Sequence, residues 1–538
     1  MSDPESLRLN RNANTTRLPR SLYTAAQVRA LDELAIVQEG ISGAELMERA
    51  ASVVLHIVLQ RWPQVRRLLV VAGTGNNGGD GYLVAALAAA QGLSVNVLEP
   101  GDPTRLKGDA LAARERALRQ SVRCEPMQTA IEQAADTVVV DALLGIGYSG
   151  ELRPEYATAI TCINDSGLPV VAVDIPSGLH SDTGVAAGAV VRATVTVCFI
   201  GLKQGLFTSN GPDCSGEVVF HDLGLPERVL HGEVGASPSS TRIDVNVVSG
   251  LLRPRRPGAH KGECGHVLVV GGDVGYGGAA LMAAEAAARA GAGTVSLLTR
   301  QVNVTAALAR RPEIMVRGIE APDGEDDRLL SDLVERANAV VIGPGLGRSS
   351  WSRSLLRHVL QYAADRVPLV VDADALNLLA EAAAERRETS ESGASAMRRH
   401  RWVLTPHPGE AARLLGCSTA DVQSDRFAAV RRLQQTWGGT CLLKGAGSLL
   451  CYVEPAGAEH VDLCTEGNPG MATGGMGDVL SGLVGAFIAQ GLSLADSLRC
   501  AVCIHGESAD LAAAAHGERG LLATDLFTHI QHLVNNSQ

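Results

Sequence analysis

Aromatic residues are scarce in this chain of 538 residues, with four Trp, seven Tyr and six Phe making up 3% of the total. Any nucleotide recognition therefore has to rest on backbone amides and oxygen ligands more than on stacked rings. Positive charge is also short: Lys and Arg number 47 against 58 Asp and Glu, a formal net charge of -11. No global basic footprint for nucleic acid or an anionic membrane is present, so no nucleic-acid or membrane partner is expected. The 11 cysteines are an odd number without disulfide-framework spacing, which points to a reduced, cytoplasmic setting. The CxxC of Cys500 and Cys503 lies in an Ala-rich helical stretch with no second CxxC to complete a zinc site, so both read as small buried hydrophobes. No apolar run reaches membrane-spanning length. The longest, from Tyr82 to Leu98, is broken by Gln91, Gly92, Ser94 and Asn96 and reads as a helix followed by a strand. Residues 1–20 lack the apolar core of a secretory signal and read as a flexible arm.

Glycine is what the chain has in excess, at 59 residues. With no collagen-like period, it belongs in turns and at close backbone approaches. Short β-branched runs alternate with Ala/Leu-rich helical runs, the pattern of parallel α/β layers. Two such systems are expected, residues 21–230 and 245–538, joined by a turn-rich linker over 231–244. The segment Glu385 to Arg401 reads as a solvated insertion.

In the first system, the strand LLVVA leads into Gly73-Thr74-Gly75-Asn76-Asn77-Gly78-Gly79-Asp80-Gly81 and then the helical run YLVAALAAA. A glycine-rich turn there offers backbone N–H groups and the positive helix end to a phosphate. It matches GxGxxG, and Glu99 ends the next strand where a dinucleotide enzyme holds a ribose, so an ordinary NAD-dependent domain is one reading. Asn76, Asn77 and Asp80 add more oxygen atoms than a pyrophosphate turn needs, although Asx residues also shape turns. Two later strands end in Asp141 and Asp174, the second followed by Ile175-Pro176-Ser177-Gly178. Strand C-termini line the ligand crevice of open parallel sheets, and oxygen atoms of Asn77, Asp141 and Ser177 suit a hard cation. Asp after a strand is also a common helix cap. Lys203 reads equally as a site charge and as a surface lysine.

The strings AGTGNNGGDGY, VVDALLGIGYSGELR and VDIPSGL, in this order, resemble the epimerase domain of the NAD(P)H-hydrate repair enzymes from Leu22 to Leu225. The resemblance implies a Rossmann-like fold and a hydrated nicotinamide nucleotide held by Asn76, Asn77, Gly78, Gly79 and Asp80, by Gly145, Ile146, Gly147, Tyr148, Ser149, Gly150 and Glu151, and by Asp174. It also implies a potassium ion (K+) on Asn77, Asp141 and Ser177. The family reaction interconverts R and S hydrates at C6 of the nicotinamide ring, and Asp174 is expected to take part in proton transfer.

The second system opens with HKGECGHVLVVGG and a helix of small residues. Further loops follow at Pro344-Gly345-Leu346-Gly347, Pro406-His407-Pro408-Gly409-Glu410 and Ala446-Gly447-Ser448. The densest glycine segment, Gly467 to Gly482, turns helical near Gly475 to Asp478, which aims free N–H groups at whatever the loop holds. A transferring phosphoryl group fits such an anion hole, with Asp478 as general base for a substrate hydroxyl or, more simply, as a helix cap. His407 between two prolines also has a purely structural reading. No Walker-A GxxxxGK[ST] is present.

GGMGDVLSG resembles the catalytic loop of the ribokinase-like superfamily. Together with HKGECGHVLVVGG, IGPGLG, TPHPGE, LLKGAGSL and NPGMATGGMGD it resembles the nucleotide-dependent NAD(P)H-hydrate dehydratases over Val248 to Leu526. The resemblance implies hydrate contacts from Ala279, Gly345, His407 and Asp478. It places an adenine nucleotide, ADP or ATP with Mg2+, on Lys444, Gly445, Ala446, Gly447, Ser448 and Gly477. Met476 departs from the small polar residue frequent there. The implied chemistry is phosphorylation of the C6 hydroxyl followed by phosphate elimination. The fold class expected is therefore α/β, with two three-layer domains, an N-terminal Rossmann-like one and a C-terminal ribokinase-like one. The joint expectation is a bifunctional, homo-oligomeric repair enzyme. A hydroxymethylpyrimidine-type kinase fused to a non-catalytic nucleotide-binding scaffold stays open beside it, as does a hydride-transferring dehydrogenase.

Overall fold

The computed structural model describes residues 18–127, 130–231, 237–321, 324–364, 366–389 and 397–535. Residues 1–17 of the expected arm, 232–236 of the expected linker and 390–396 of the expected insertion lie outside the described residues. The chain divides into two compact units, Met1–Arg242 and Ile243–Gln538.

The first unit contains β1 (Ser21–Tyr23), β2 (Arg67–Ala72), β3 (Ser94–Glu99), β4 (Arg123–Pro126), β5 (Thr137–Ala142), β6 (Val170–Val173), β7 (Val195–Phe199), β8 (Leu202–Lys203) and β9 (Glu217–His221). Seven of these form a parallel sheet in the order β4-β3-β2-β5-β6-β7-β9. Alternate residues of one strand enter different cores, Val70 and Val140 on one face and Val71 and Val139 on the other, so helices cover both faces. Such double burial is why these strands read as continuous β-branched runs. The chain moves outward from β2 to β4, then returns to add β5 on the other side of β2, which opens a crevice at the C-terminal ends of β2 and β5.

The expected linker contains a strand. Within β10 (Ser240–Ile243), Ser240 and Thr241 pair antiparallel with Leu22 and Ser21, and Arg242 is buried, donating to the Leu18 carbonyl at 3.0 Å. The neighbouring Ser and Pro residues hide this short β-forming run from a compositional reading. The same β1 pairs in parallel with β8, Tyr23 opposite Lys203, and so fixes that lysine in register.

The second unit holds β11 (His266–Val270), β12 (Thr294–Thr299), β13 (Met315–Gly318), β14 (Ala339–Ile342), β15 (Leu369–Val371), β16 (Trp402–Leu404), β17 (Thr440–Leu443), β18 (Ser448–Val453) and β19 (Glu459–Cys464). In the order β13-β12-β11-β14-β15-β16-β17-β18-β19, the strands are parallel as far as β17 and antiparallel beyond it. The small-residue helix Gly277–Arg289 packs on the helix Met476–Ala489 so closely that a Cβ on Gly482 would lie 2.1 Å from the Ala283 carbonyl. Glu385 to Thr389 continue the helix Ala373–Thr389 rather than forming a separate insertion. Arg399 returns to the fold, its guanidinium donating to the carbonyls of Ala364 at 2.9 Å and Leu360 at 3.0 Å. Cys500 and Cys503 are buried on the helix Leu494–His516. Among the described residues, no helix is long and apolar enough to cross a membrane.

Candidate active sites at two sheet edges

The expected glycine loop of the first unit is not a loop beyond Gly75. The helix runs Asn76–Ala90, so NNGGDG forms its first turns. Glycine is a poor helix former, but here it is required by contact. A Cβ on Gly78 would sit 2.0 Å from the Gly73 carbonyl, one on Gly79 2.7 Å from Met47 Cε, and one on Gly81 2.5 Å from Ala142 Cβ. The first ladder bond is from Gly79 N to Gly75 O at 3.1 Å, which leaves the N–H groups of Asn76, Asn77 and Gly78 for an incoming anion.

That helix end forms part of a cleft of about 630 Å³, whose lining includes Asn76, Asn77, Asp80, Gly145, Ile146, Gly147, Tyr148, Ser149, Glu151 and Asp174. Gly78 and Gly79 are buried beneath it, and Gly150 is a left-handed turn residue with φ +82 outside the lining. Lys203 is in the cleft rather than on the surface. It is fully buried and ion-paired with Asp174, and it also donates to the Phe199 carbonyl at 2.9 Å. Burial alone would lower this ammonium, but Asp174 outweighs it and holds Lys203 above its ordinary range. Asp174 has a left-handed backbone, φ +68, which is unusual for a residue with a side chain and turns its carboxylate back toward Phe199 N at 3.1 Å. Asp80 is driven well up by burial and by the charges of Asp174 and Asp32. Asp32 is raised to about 6, again by burial first. The sequence reading missed Asp32; its one signal was an acid between Val28 and Ile36 at helical spacing.

Asp141 and Ser177 come together behind the cleft. Asp141 is fully buried and accepts from Ser177 N at 2.8 Å, Ser177 Oγ at 2.6 Å and Leu143 N at 3.3 Å. Burial lifts it to about 6 in spite of these bonds, and no described cation pairs with it. Asn77 approaches from the helix: its Cβ lies 3.1 Å from where a Gly145 Cβ would be, and its Nδ2 is buried with no partner among the described residues. Glu99 is not available for a ribose. It accepts from Tyr82 Oη at 2.7 Å and pairs with Arg114 at 2.6 Å.

In the second unit the expected loops meet at the C-terminal edge of β14 to β17. Asp478 lies in the first turn of Met476–Ala489, whose N-cap Gly475 has φ +93. Lys444, directly after β17, donates to the buried Asp372 at 2.8 Å. Gly477 lies against this pair, since a Cβ there would be 3.3 Å from Lys444 Nζ. Asp478 is pushed up to about 7 by burial and by Asp372, with Lys444 opposing. Glu410 also rises to about 7, mainly by burial. His407 is the N-cap of the helix Pro408–Leu415: its Nδ1 accepts from Gly409 N at 3.0 Å and its Nε2 lies 3.3 Å from Glu410 Oε1. Burial and the Lys444 charge hold His407 below its ordinary value, favouring the neutral ring.

Gly345, φ +56, lies close to Ala279, since a Cβ placed on Gly345 would be 3.1 Å from the Ala279 Cβ. Gly347 N donates to Asp374 at 2.9 Å, and Asp374 in turn helps raise Asp478. The segment Lys444, Gly445, Ala446, Gly447 and Ser448 is held from below by buried Arg426, which donates to the carbonyls of Leu443, Lys444 and Gly447, each at 3.3 Å. The Met476 side chain packs in the hydrophobic core, so only its backbone bears on the site. Sequence reading missed Asp372 and Asp374, although VVDAD after a strand repeats the signal used for Asp141 and Asp174.

Two strand-end sites, each with a buried carboxylate–lysine pair beside a glycine-rich helix N-terminus, define an α/β enzyme with two nucleotide-handling units. Comparison with known proteins is specific. Residues 267–532 match the NAD(P)H-hydrate dehydratase family model and residues 43–205 the YjeF-related protein N-terminus model. The bifunctional NAD(P)H-hydrate repair enzyme Nnr of Coxiella burnetii is 45% identical over 96% of this chain and 99% of its own. The Escherichia coli enzyme of the same name is 41% identical over 97% of this chain and 95% of its own. A solved ADP/ATP-dependent NAD(P)H-hydrate dehydratase from Bacillus subtilis, co-crystallised with ATP/Mg2+, is 26% identical and covers 55% of this chain and 97% of that one, with a TM-score of 0.46. The chain belongs to the family of bifunctional NAD(P)H-hydrate repair enzymes.

Proposed function

We propose that the first unit interconverts R- and S-NAD(P)HX and that the second dehydrates the S form to NAD(P)H with ADP or ATP, the work named for its relatives. The observation that carries the second step is Asp478, a carboxyl at a glycine-formed helix mouth beside the Lys444–Asp372 pair. Asp478 takes the proton of the C6 hydroxyl as its oxygen attacks the terminal phosphorus of the nucleotide, which departs one phosphate shorter. The C6–O bond then breaks, phosphate leaves with the electron pair, and loss of a C5 proton restores the ring double bond. Phosphorylation is needed because hydroxide is a poor leaving group. Lys444 and the N–H groups at Gly477 and Asp478 face the charge that develops on the transferring group. Mg2+ entering with the nucleotide would offset phosphate charge, and Asp374 is an oxygen ligand of the type it takes.

In the first unit Asp174, paired with Lys203, exchanges the proton on the oxygen at C6. The buried Asp141 carboxylate, bonded to Ser177 and without a described counter-charge, fits a monovalent cation such as K+, which would supply the missing positive charge, with the amide oxygen of Asn77 as a further ligand. Eleven free cysteines support a reducing, cytoplasmic setting.

The test is to incubate mixed R/S NADHX with the protein plus ADP or ATP and follow NADH absorbance. Recovery of both epimers is expected, in strict dependence on nucleotide. Recovery without nucleotide, or a stable phosphorylated product by mass spectrometry, would overturn the assignment.

A further inference from the structure

The N-terminal cleft holds more acid than its base pair accounts for. Asp32 lies on the helix Ala25–Glu39, which is fixed at its start by a Thr24–Gln27 capping box and by a 2.6 Å bond from Ala25 N to Asp182. Val28, Asp32 and Ile36 follow one another at four-residue spacing and all line the cleft, so one stripe of this helix forms a wall with a single carboxyl at its centre. That carboxyl has no hydrogen-bond or ion-pair partner among the described residues, whereas Asp174 is bound directly by Lys203.

Building on the epimerase reading, we propose that Asp32 is the second catalytic acid–base residue of this cleft, working with Asp174 from the wall formed by the helix Ala25–Glu39. Epimerising C6 needs one group to give a proton and another to take one. In one direction Asp32 protonates the C6 hydroxyl, which departs as water with the C–O electron pair while the N1 lone pair closes a C6=N1 bond. Water then adds to the other face and gives a proton to Asp174 as the N1 pair returns. The reverse direction exchanges the two roles, so proton and electron counts close.

Charge distribution supports the division of labour. The charged groups lining the cleft are Arg29, Asp32, Asp80, Glu151, Arg153, Asp174 and Lys203. Lys203 is committed to Asp174, and the like charges of Asp32, Asp80 and Asp174 disfavour simultaneous ionisation. Asp80 is driven well up by burial and by the charges of Asp174 and Asp32. Asp32, at about 6, can both give and recover a proton near neutral pH.

The full-length protein is tested as Asp32→Asn and Asp32→Glu, with purified R-NADHX for epimerisation and S-NADHX plus ADP for dehydration. Asp32→Asn should lower the epimerisation kcat by about 100-fold or more. Its KM should stay within about threefold and its dehydration at wild-type rate, which shows that the chain is folded. Asp32→Glu should recover part of the rate. The wild-type profile should fall on the alkaline side as Asp32 loses its proton, a limb missing from the residual activity of Asp32→Asn. Retained kcat, or a loss confined to KM, overturns the proposal. Failure of the wild-type protein to interconvert the epimers would instead overturn the epimerase reading.

Discussion

Asp478 occupies the first turn of its helix, yet its surroundings suit it to the general-base role proposed for it. An aspartate in the first turn of a helix is ordinarily stabilised in its charged form by the helix dipole. Here burial and the nearby Asp372 and Asp374 outweigh that and place it at about 7. A general base must be ionised, so the kcat/KM for dehydration should fall as pH drops below about 7 and level off above it. An acid limb that survives unchanged in Asp478→Asn would show that another group titrates. Asp478→Asn itself should lose dehydration by about 100-fold or more while epimerisation persists. Glu466 tests the opposite case, a carboxyl with no catalytic task. It is pushed up to about 10 by burial, one oxygen accepting from Val245 N at 2.7 Å and the other unpartnered. The folded chain keeps this proton when the unfolded chain has lost it. Its contribution to stability is therefore fully present below the ordinary glutamate value of 4.5 and declines as pH rises toward 10. Glu466→Gln should raise Tm more at pH 9 than at pH 5, and an equal offset at both would refute a neutral Glu466.

At the scale of the element, the glycines of the first unit separate into those the helix needs and those it does not. A Cβ on Gly73 would lie 1.9 Å from the Leu143 carbonyl, while one on Gly75 meets nothing within 4 Å. Gly73→Ala should destabilise the unit by about 3 kcal/mol, whereas Gly75→Ala should leave Tm within a degree or two of wild type; melting both variants decides it. The motif GTGNNGGDG was legible as a strand-to-helix junction. Where the helix starts was not, because glycine's low helical propensity argues for a loop and only the contacts of Gly78, Gly79 and Gly81 override it. The strand β10 was missed for a related reason, since a run of four residues among serine and proline carries no periodicity.

At the scale of the whole molecule, two sites on one chain divide a substrate mixture between them. Asp174→Asn should let NADH recovery from mixed hydrate stop once the S form is consumed, and adding an equimolar amount of Asp478→Asn protein should restart it. No recovery on mixing would mean that the two variants do not complement and that one lacks its assigned activity.

The sequence by itself determined the parallel α/β class of both units, the glycine-rich junctions, the strand-end aspartates 141 and 174, the helix-start aspartate 478 and the family they resemble. These features are local: β-branched runs, glycine spacing and an acid next to a strand each declare themselves within a few residues. Only the tertiary structure decided which charges share a cavity. It buried Lys203 against Asp174, brought Asp32 in from a separate helix, added Asp372 and Asp374 to Asp478, and committed Glu99 to Tyr82 and Arg114. Protonation depends on burial and on neighbours distant in sequence, so the acid–base assignments had to wait for the fold.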